Sequence, residues 1–254
     1  MILAIDIGNT NIVIGGFLDN KILFRERVST NQTATDLEYS VTVKTALEVH
    51  GYAKEEIKGA VLSSVVPSVT NTFKRAIEKC FGVKPLVVGP GVKNGLSILI
   101  DNPKQLGSDL VVDAVAGINE YPVPLIIVDM GTATTFSVID KKRNYIGGLI
   151  TTGMAVSTDA LISRTAQLPR FSFDLPEKVI GKNTTDCLKS GIMYATAAGM
   201  DGIIDRIEQE LGEKCTIVAT GGLAGLVTPL CKRKIILDDD LLLKGLMLIY
   251  KKNI

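Results

Sequence analysis

One pattern occurs twice in this chain at a fixed offset, and it constrains the fold more than anything else in the sequence. Ile2-Leu3-Ala4-Ile5 read as a buried strand, apolar throughout and rich in β-formers. The strand ends on Asp6, a tight Gly8-Asn9-Thr10 turn follows, and a second strand runs from Ile12 to about Leu18. Asp19-Asn20 make a turn, and Lys21 to Val28 form a third strand. The second half restarts in the same way. Leu125 to Val128 are a buried strand, Asp129-Met130-Gly131-Thr132 the turn after it, Phe136 to Ile139 a strand, Lys141 to Asn144 a turn, and Tyr145 to Thr151 a third strand. Asp6 and Asp129 stand 123 residues apart, and the Gly8/Gly131 pair and the Asp19-Asn20/Lys142-Arg143 turns keep that offset. A repeat in one register is stronger evidence than either hairpin alone. It predicts an α/β chain of two duplicated lobes, residues 1–120 and 121–254, with Tyr121-Pro122-Val123-Pro124 at the boundary.

Between and after the repeats the periodicity turns helical. Helices are expected over Asp36–His50 with Leu37, Val41 and Leu47 on one face, and from about Val69 to Cys80 with Ser68 as N-cap. Further helices are expected after Ser108 through Val111, Val112, Val115 and Ala116, and over Met154–Ser163. A long one runs to Leu211 with Thr184 as its cap, and others cover Leu223–Cys231 and Asp240–Lys252. Short apolar strands fit Ala60–Ser64, Pro85–Val88, Thr216–Ala219 and Lys234–Leu237, while Gly89–Pro103 and Pro169–Pro176 read as loops.

Composition removes several function classes. The 28 basic and 27 acidic residues nearly cancel, which argues against nucleic acid or a membrane surface as a charge-driven partner. No stretch approaches the roughly 18 apolar residues of a membrane span. The first residues enter a strand without a basic region or cleavage site, so no signal peptide is expected and a cytoplasmic location is. Cys80, Cys187, Cys215 and Cys231 have no metal-ligand spacing and read as reduced thiols. His50 is the only histidine and falls where a helix ends before Gly51. It reads as structural, so a general base in this chain should be a carboxylate.

A carboxylate at a strand end beside a glycine turn suits a magnesium–phosphate group, and Asn9 and Thr10 add short polar side chains without bulk. The same residues also make an ordinary hairpin turn. Asp109, after Gly107-Ser108, is a candidate base or simply a helix N-cap. Asp113, one turn on, is read as a supporting or surface carboxylate. Lys141-Lys142-Arg143 read as a solvated hairpin tip, and Asp238-Asp239-Asp240 as caps of the last helix.

Seven segments in order resemble those of type III pantothenate kinases, within the actin-like ATPase and sugar-kinase superfamily. They are Asp6-Ile7-Gly8-Asn9-Thr10-Asn11, Ser63-Ser64-Val65-Val66-Pro67, Asp101-Asn102-Pro103, Gly107-Ser108-Asp109, Asp129 to Thr135, Gly181-Lys182-Asn183-Thr184 and Ala219-Thr220-Gly221-Gly222-Leu223. The resemblance covers nearly the whole chain. It implies two ribonuclease-H-like lobes with a nucleotide cleft between them. It also implies a homodimer that phosphorylates pantothenate with ATP and magnesium, the first step toward coenzyme A, and that uses a monovalent cation, potassium or ammonium.

Residue by residue, the resemblance implies that Asp6, Ile7, Gly8, Asn9, Thr10, Asn11, Ile12 and Val13 wrap the ATP phosphates, with Asp6 assisting magnesium through water. Thr132 would contact phosphate, Gly221 and Gly222 would lie against the adenosine, and Asp129 would bind the monovalent cation. Asp109 would be the general base, with Ile100, Gly107, Ser108, Leu110 and Thr184 at the pantothenate. Two positions depart from the family pattern: Leu110 stands where Arg is usual, and Ile100 where an aromatic residue, usually Tyr, is common. Loss of an Arg removes a bidentate, always-charged donor. A non-catalytic regulator of the same fold, and a kinase or phosphatase for another small molecule, are the alternative readings.

Overall fold

The computed structural model describes residues 1–254, and its chain divides into two compact units. The first comprises residues 1–96, 101–119 and 240–254, and the second residues 97–100 and 120–239. Each is built on one mixed sheet.

In the first unit, β1 (Ile2–Ile7), β2 (Asn11–Leu18) and β3 (Lys21–Ser29) form an antiparallel meander. β4 (Gly59–Ser64) and β5 (Leu86–Val87) then add in parallel, giving the order β3-β2-β1-β4-β5. Asp19 and Asn20 both take positive φ (44° and 70°), as a two-residue turn matching the strand twist requires. One core joins Leu3, Ile5, Ile7, Ile12 and Ile14 of the sheet to α1 (Asp36–Val49) and α2 (Pro67–Phe81), through Tyr39, Val43, Leu47, Phe73 and Ile77. α3 (Ser108–Glu120) and α7 (Leu241–Asn253) also belong to this unit, and α7 packs on β1 and β4.

The second unit repeats the plan. β7 (Leu125–Met130), β8 (Ala133–Ile139) and β9 (Asn144–Thr152) are the meander, and β10 (Thr216–Thr220) and β11 (Ile236–Leu237) add in parallel beside β7. β6 (Ser97–Ile98) lies parallel on the far side of β9, so the order is β11-β10-β7-β8-β9-β6. Its core sets Ile126, Val128 and Phe136 against α4 (Met154–Ser163), α5 (Thr184–Leu211) and α6 (Ala224–Val227), through Met154, Met193, Ala197, Ile204 and Ala224. The expected duplication is thus present strand for strand. The second hairpin turn is one residue tighter: Asp6 faces Val13, whereas Asp129 faces Thr135.

Several local expectations need correction. On α1 the buried face is Tyr39, Val43, Ala46 and Leu47, while Leu37 and Val41 are exposed. Thr35 caps that helix in a reciprocal box with Glu38. α2 starts at Pro67 with Val66 as N-cap, because proline at the first helical position fits where no N–H is needed; Ser68 lies inside the helix. Asn183, one residue before Thr184, caps α5 by accepting from Asp186 N–H at 2.9 Å. The helix expected to Cys231 stops at Val227 and passes into a 3-10 turn, Thr228–Leu230, around Pro229. Of the three aspartates before α7, Asp240 holds the N-cap position, yet its carboxylate pairs with Arg25 at 2.9 Å. Asp238 accepts instead from the Tyr121 hydroxyl at 2.7 Å. Asp113 is only 1% exposed, so a surface role is excluded. His50 ends α1, stacks on Phe24 and shares a 2.7 Å hydrogen bond with Glu26.

Candidate active site

In the first unit the chemistry gathers at the carboxyl ends of β1 and β4. Asp6 is the last but one residue of β1 and is buried, with its backbone paired to Ser63 of β4. The turn after it is fastened from two directions. Gly8 N–H donates to Asn11 carbonyl at 3.0 Å, and β3 delivers Thr30, whose hydroxyl donates to Gly8 carbonyl at 2.6 Å and whose N–H donates to Thr10 carbonyl at 2.9 Å. Ile7 and Ile12 are fully buried core residues, so contact with a ligand there is through backbone alone. Asn9 and Thr10 are exposed, Asn11 and Val13 half-buried.

The start of α3 is held at the same end of the sheet. Ser63 hydroxyl donates to Ser108 Oγ at 3.0 Å, Ser64 N–H donates to it at 3.2 Å, and Ser108 donates to Ser64 carbonyl at 3.0 Å. Asp109 therefore sits in the first helical turn next to this joint, half-buried, with Oδ1 accepting from Leu110 N–H at 2.8 Å. Burial pushes its carboxyl pKa above the ordinary value, against the lowering effect of the Leu110 amide and its own. A carboxylate kept basic in this way is better suited to accept a proton. Gly107 leaves that carboxylate its place: a Cβ there would overlap Asp109 Oδ1. The structure thus brings Asp6, Gly107, Ser108 and Asp109 to one edge of one sheet. Leu110 is half-buried in the same turn.

In the second unit the equivalent edge carries Asp129 on β7, paired in register with Thr220 of β10 and Thr135 of β8. Gly131 N–H donates to Ala133 carbonyl at 3.0 Å, and Thr132, exposed, accepts from Gly153 N–H at 3.1 Å. Gly221 has φ +94°, and a Cβ on it would lie 2.5 Å from Asp129 Oδ1 and 2.6 Å from Met130 N. Only glycine lets β10 turn this closely over Asp129. Gly222 is exposed. Thr184 is exposed at the start of α5, and Ile100 is half-buried at the end of the short 97–100 segment.

No group of three His, Cys, Asp or Glu side chains is gathered that could hold a metal by protein ligands alone. A single carboxylate at a strand end fits magnesium, which is bound through one or two carboxylates together with substrate phosphates and keeps its waters. At Asp129 the donors also fit a hard cation: Thr135, directly opposite on β8, has a buried Oγ1 with no hydrogen-bond partner.

Residues outside the expected set are Thr30, Ser63, Ser64 and Thr135. The hydroxyls at the end of β4 were visible as Ser63-Ser64, but their partner lies 44 to 45 residues away and no periodicity points to it.

Residues 2–206 match the family described as type III pantothenate kinase. A type III pantothenate kinase of an Exiguobacterium species is 46% identical over 253 residues, covering 100% of this chain and 99% of that protein. Among solved structures, a conserved protein of Campylobacter jejuni described as a Baf family transcriptional activator superposes with a TM-score of 0.60 at 19% identity, covering 99% of this chain and 98% of that one. The activator of 2-hydroxyisocaproyl-CoA dehydratase from Clostridium difficile, with ADPNP bound, gives a TM-score of 0.54 at 18% identity, covering 98% and 92%. These likenesses show the actin-like ATPase and sugar-kinase fold.

Proposed function

The chain belongs to the type III pantothenate kinase family, and from that premise we propose how its residues divide the work of moving the γ-phosphoryl group of ATP to the primary hydroxyl of pantothenate. Asp109 is the general base. Its carboxylate takes the hydroxyl proton as the oxygen bonds to phosphorus and the bond from phosphorus to the ADP oxygen breaks. Burial raises the pKa of Asp109, which supports this role, as does its place beside Asp6 on one sheet edge. Phosphoryl transfer needs alignment and charge neutralisation more than covalent chemistry, and the rigid Gly8–Asn11 turn and the Thr132 turn suit it. Asp6 would hold magnesium through water, and the ion would supply neutralisation of phosphate charge; Asp129 and Thr135 would hold potassium or ammonium. Gly221 and Gly222 give the nucleotide a close backbone surface, and Thr184 reaches the pantothenate. Leu110 offers that substrate no charged bidentate donor where the family usually has an Arg, and Ile100 no aromatic ring where one is common.

The enzyme works as a cytoplasmic homodimer in this reading. No helix is long and apolar enough to cross a membrane. The second unit exposes large apolar side chains on β9, α4 and the segment before α5, among them Ile150 at 76% and Ile180 at 80%, which favours a second copy as their cover.

The observation that carries the proposal is the joint of Ser63, Ser64 and Ser108, which holds the start of α3, with Asp109, at the end of β4, the strand that pairs with Asp6 of β1. It is tested by ADP release from purified protein with magnesium, potassium and pantothenate, beside a panel of sugars. Pantothenate alone should drive turnover; a sugar preference would refute the assignment.

A further inference from the structure

Ser108 stands in the pantothenate-contacting motif, yet its hydroxyl is already occupied. It accepts from Ser63 Oγ at 3.0 Å and Ser64 N–H at 3.2 Å and donates to Ser64 carbonyl at 3.0 Å. A serine hydroxyl has one proton and two lone pairs, so its capacity is filled inside the protein. Ser63 is fully buried and has no access to any substrate. Its backbone position on β4 is the register partner of Asp6 on β1. On the other side, the absent side chain of Gly107 leaves Asp109 Oδ1 its place, and Val111 N–H donates to Gly107 carbonyl at 3.1 Å to close the first turn.

The Ser108 hydroxyl therefore ties the start of α3 to the end of β4, the strand whose Ser63 pairs in register with Asp6 of β1. We propose that Ser63 and Ser108 are positioning residues. They pin the first turn of α3 to the end of β4, so that the Asp109 carboxylate keeps a fixed place relative to the Asp6 turn, and the Ser108 hydroxyl binds no substrate. The proposal rests on Asp109 as the base. It adds that the base is held by a hydroxyl pair reaching into the core rather than by its own helix alone. Each alanine substitution removes a single side-chain oxygen: Ser108→Ala takes away all three hydrogen bonds of the joint, whereas Ser63→Ala takes away one and leaves the two between Ser108 and the Ser64 backbone.

The experiment compares Ser63→Ala, Ser108→Ala and the double variant in the full chain. It reads kcat, KM for ATP and for pantothenate, and amide hydrogen exchange at Leu110, Val111 and Val112. A displaced base costs about 10–100-fold in kcat at shifts below 1 Å. Ser108→Ala should show such a loss and Ser63→Ala a smaller one, each with both KM values within twofold of wild type. The double variant should be no worse than Ser108→Ala, because the one bond that Ser63→Ala removes is already lost there. A tenfold rise in KM for pantothenate in Ser108→Ala, with Ser63→Ala silent, would overturn the proposal and make Ser108 a substrate contact. Wild-type kcat in both would overturn it too. Should the wild-type protein show no turnover of pantothenate, the assignment of Asp109 falls on its own. The joint is then read from exchange: faster exchange at Leu110–Val112 in both single variants supports it, and unchanged exchange refutes it.

Discussion

Gly107→Ala isolates the placement of the Asp109 carboxylate from everything else about the fold. Gly107 does not have a positive φ, so an alanine there strains no backbone. Its new methyl would overlap only the end of one flexible side chain, Asp109 Oδ1, with no other atom in close conflict. The oxygen must retreat by about 1 Å to reach ordinary van der Waals separation. In doing so it weakens its 2.8 Å bond from Leu110 N–H, since the hydrogen-bond range ends within a few tenths of an ångström. A 1 Å error at a reacting group costs about 10²-fold in rate. The measured quantities are kcat and KM in the coupled ADP assay, with thermal melting beside them. The expected result is a kcat loss of about 100-fold with KM for ATP unchanged and Tm within about 3 °C of wild type, a shift equivalent to about 1 kcal/mol at this chain length. Wild-type kcat would show that the reaction does not depend on the Asp109 rotamer seen here. A large Tm drop would show that the turn, and not the carboxylate, is what glycine protects.

The other expectations concern charge and close approach. Asp109→Asn should lower kcat by about 10²–10⁴-fold while nucleotide binding by calorimetry survives. Because the folded pKa of Asp109 is raised, the wild-type rate should fall as pH drops through that value, and the Asn variant should lack this acid limb. The stability sign runs opposite to the rate. A raised carboxyl contributes its stability at low pH and loses it as pH rises through the folded pKa, so the Asn variant should equal or exceed wild type in urea at pH 7. Gly221→Ala meets both a positive φ of 94° and the Met130 backbone 2.6 Å away. It should cost about 1–3 kcal/mol in denaturant titrations. It should also abolish any preference for potassium over sodium by displacing Asp129; a surviving preference would separate Asp129 from the cation.

The two hairpins were legible because both their signals are local: apolar runs of strand length and turn residues that tolerate positive φ. Their recurrence at one offset carried the duplication of the two meanders, while the order of the remaining strands in each sheet came only from the structure. What stayed hidden was set by partners distant in sequence. Leu37 and Val41 share a helical face with Leu47 in pattern, yet α2 covers the Tyr39–Val43–Ala46 side, and no property of α1 alone decides that. Asp113 has the polarity of a surface residue and lies in the core of the first unit because α3 is buried along most of its length. The last helix follows the second repeat in the chain but packs on β1 and β4 of the first unit. At the site, the carboxylates at strand ends announced themselves. The Thr30 and Ser63–Ser108 fasteners did not, since serine and threonine at strand ends are ordinary turn chemistry.

The most direct test follows the phosphorus itself. Phosphorus NMR of wild-type protein with ATP, magnesium, potassium and pantothenate should show a phosphomonoester signal growing as ATP turns into ADP. The same mixture with Asp109→Asn should leave ATP unchanged over the same period. Absence of the phosphomonoester in the wild-type reaction, or its growth at equal rate with the variant, would contradict the account.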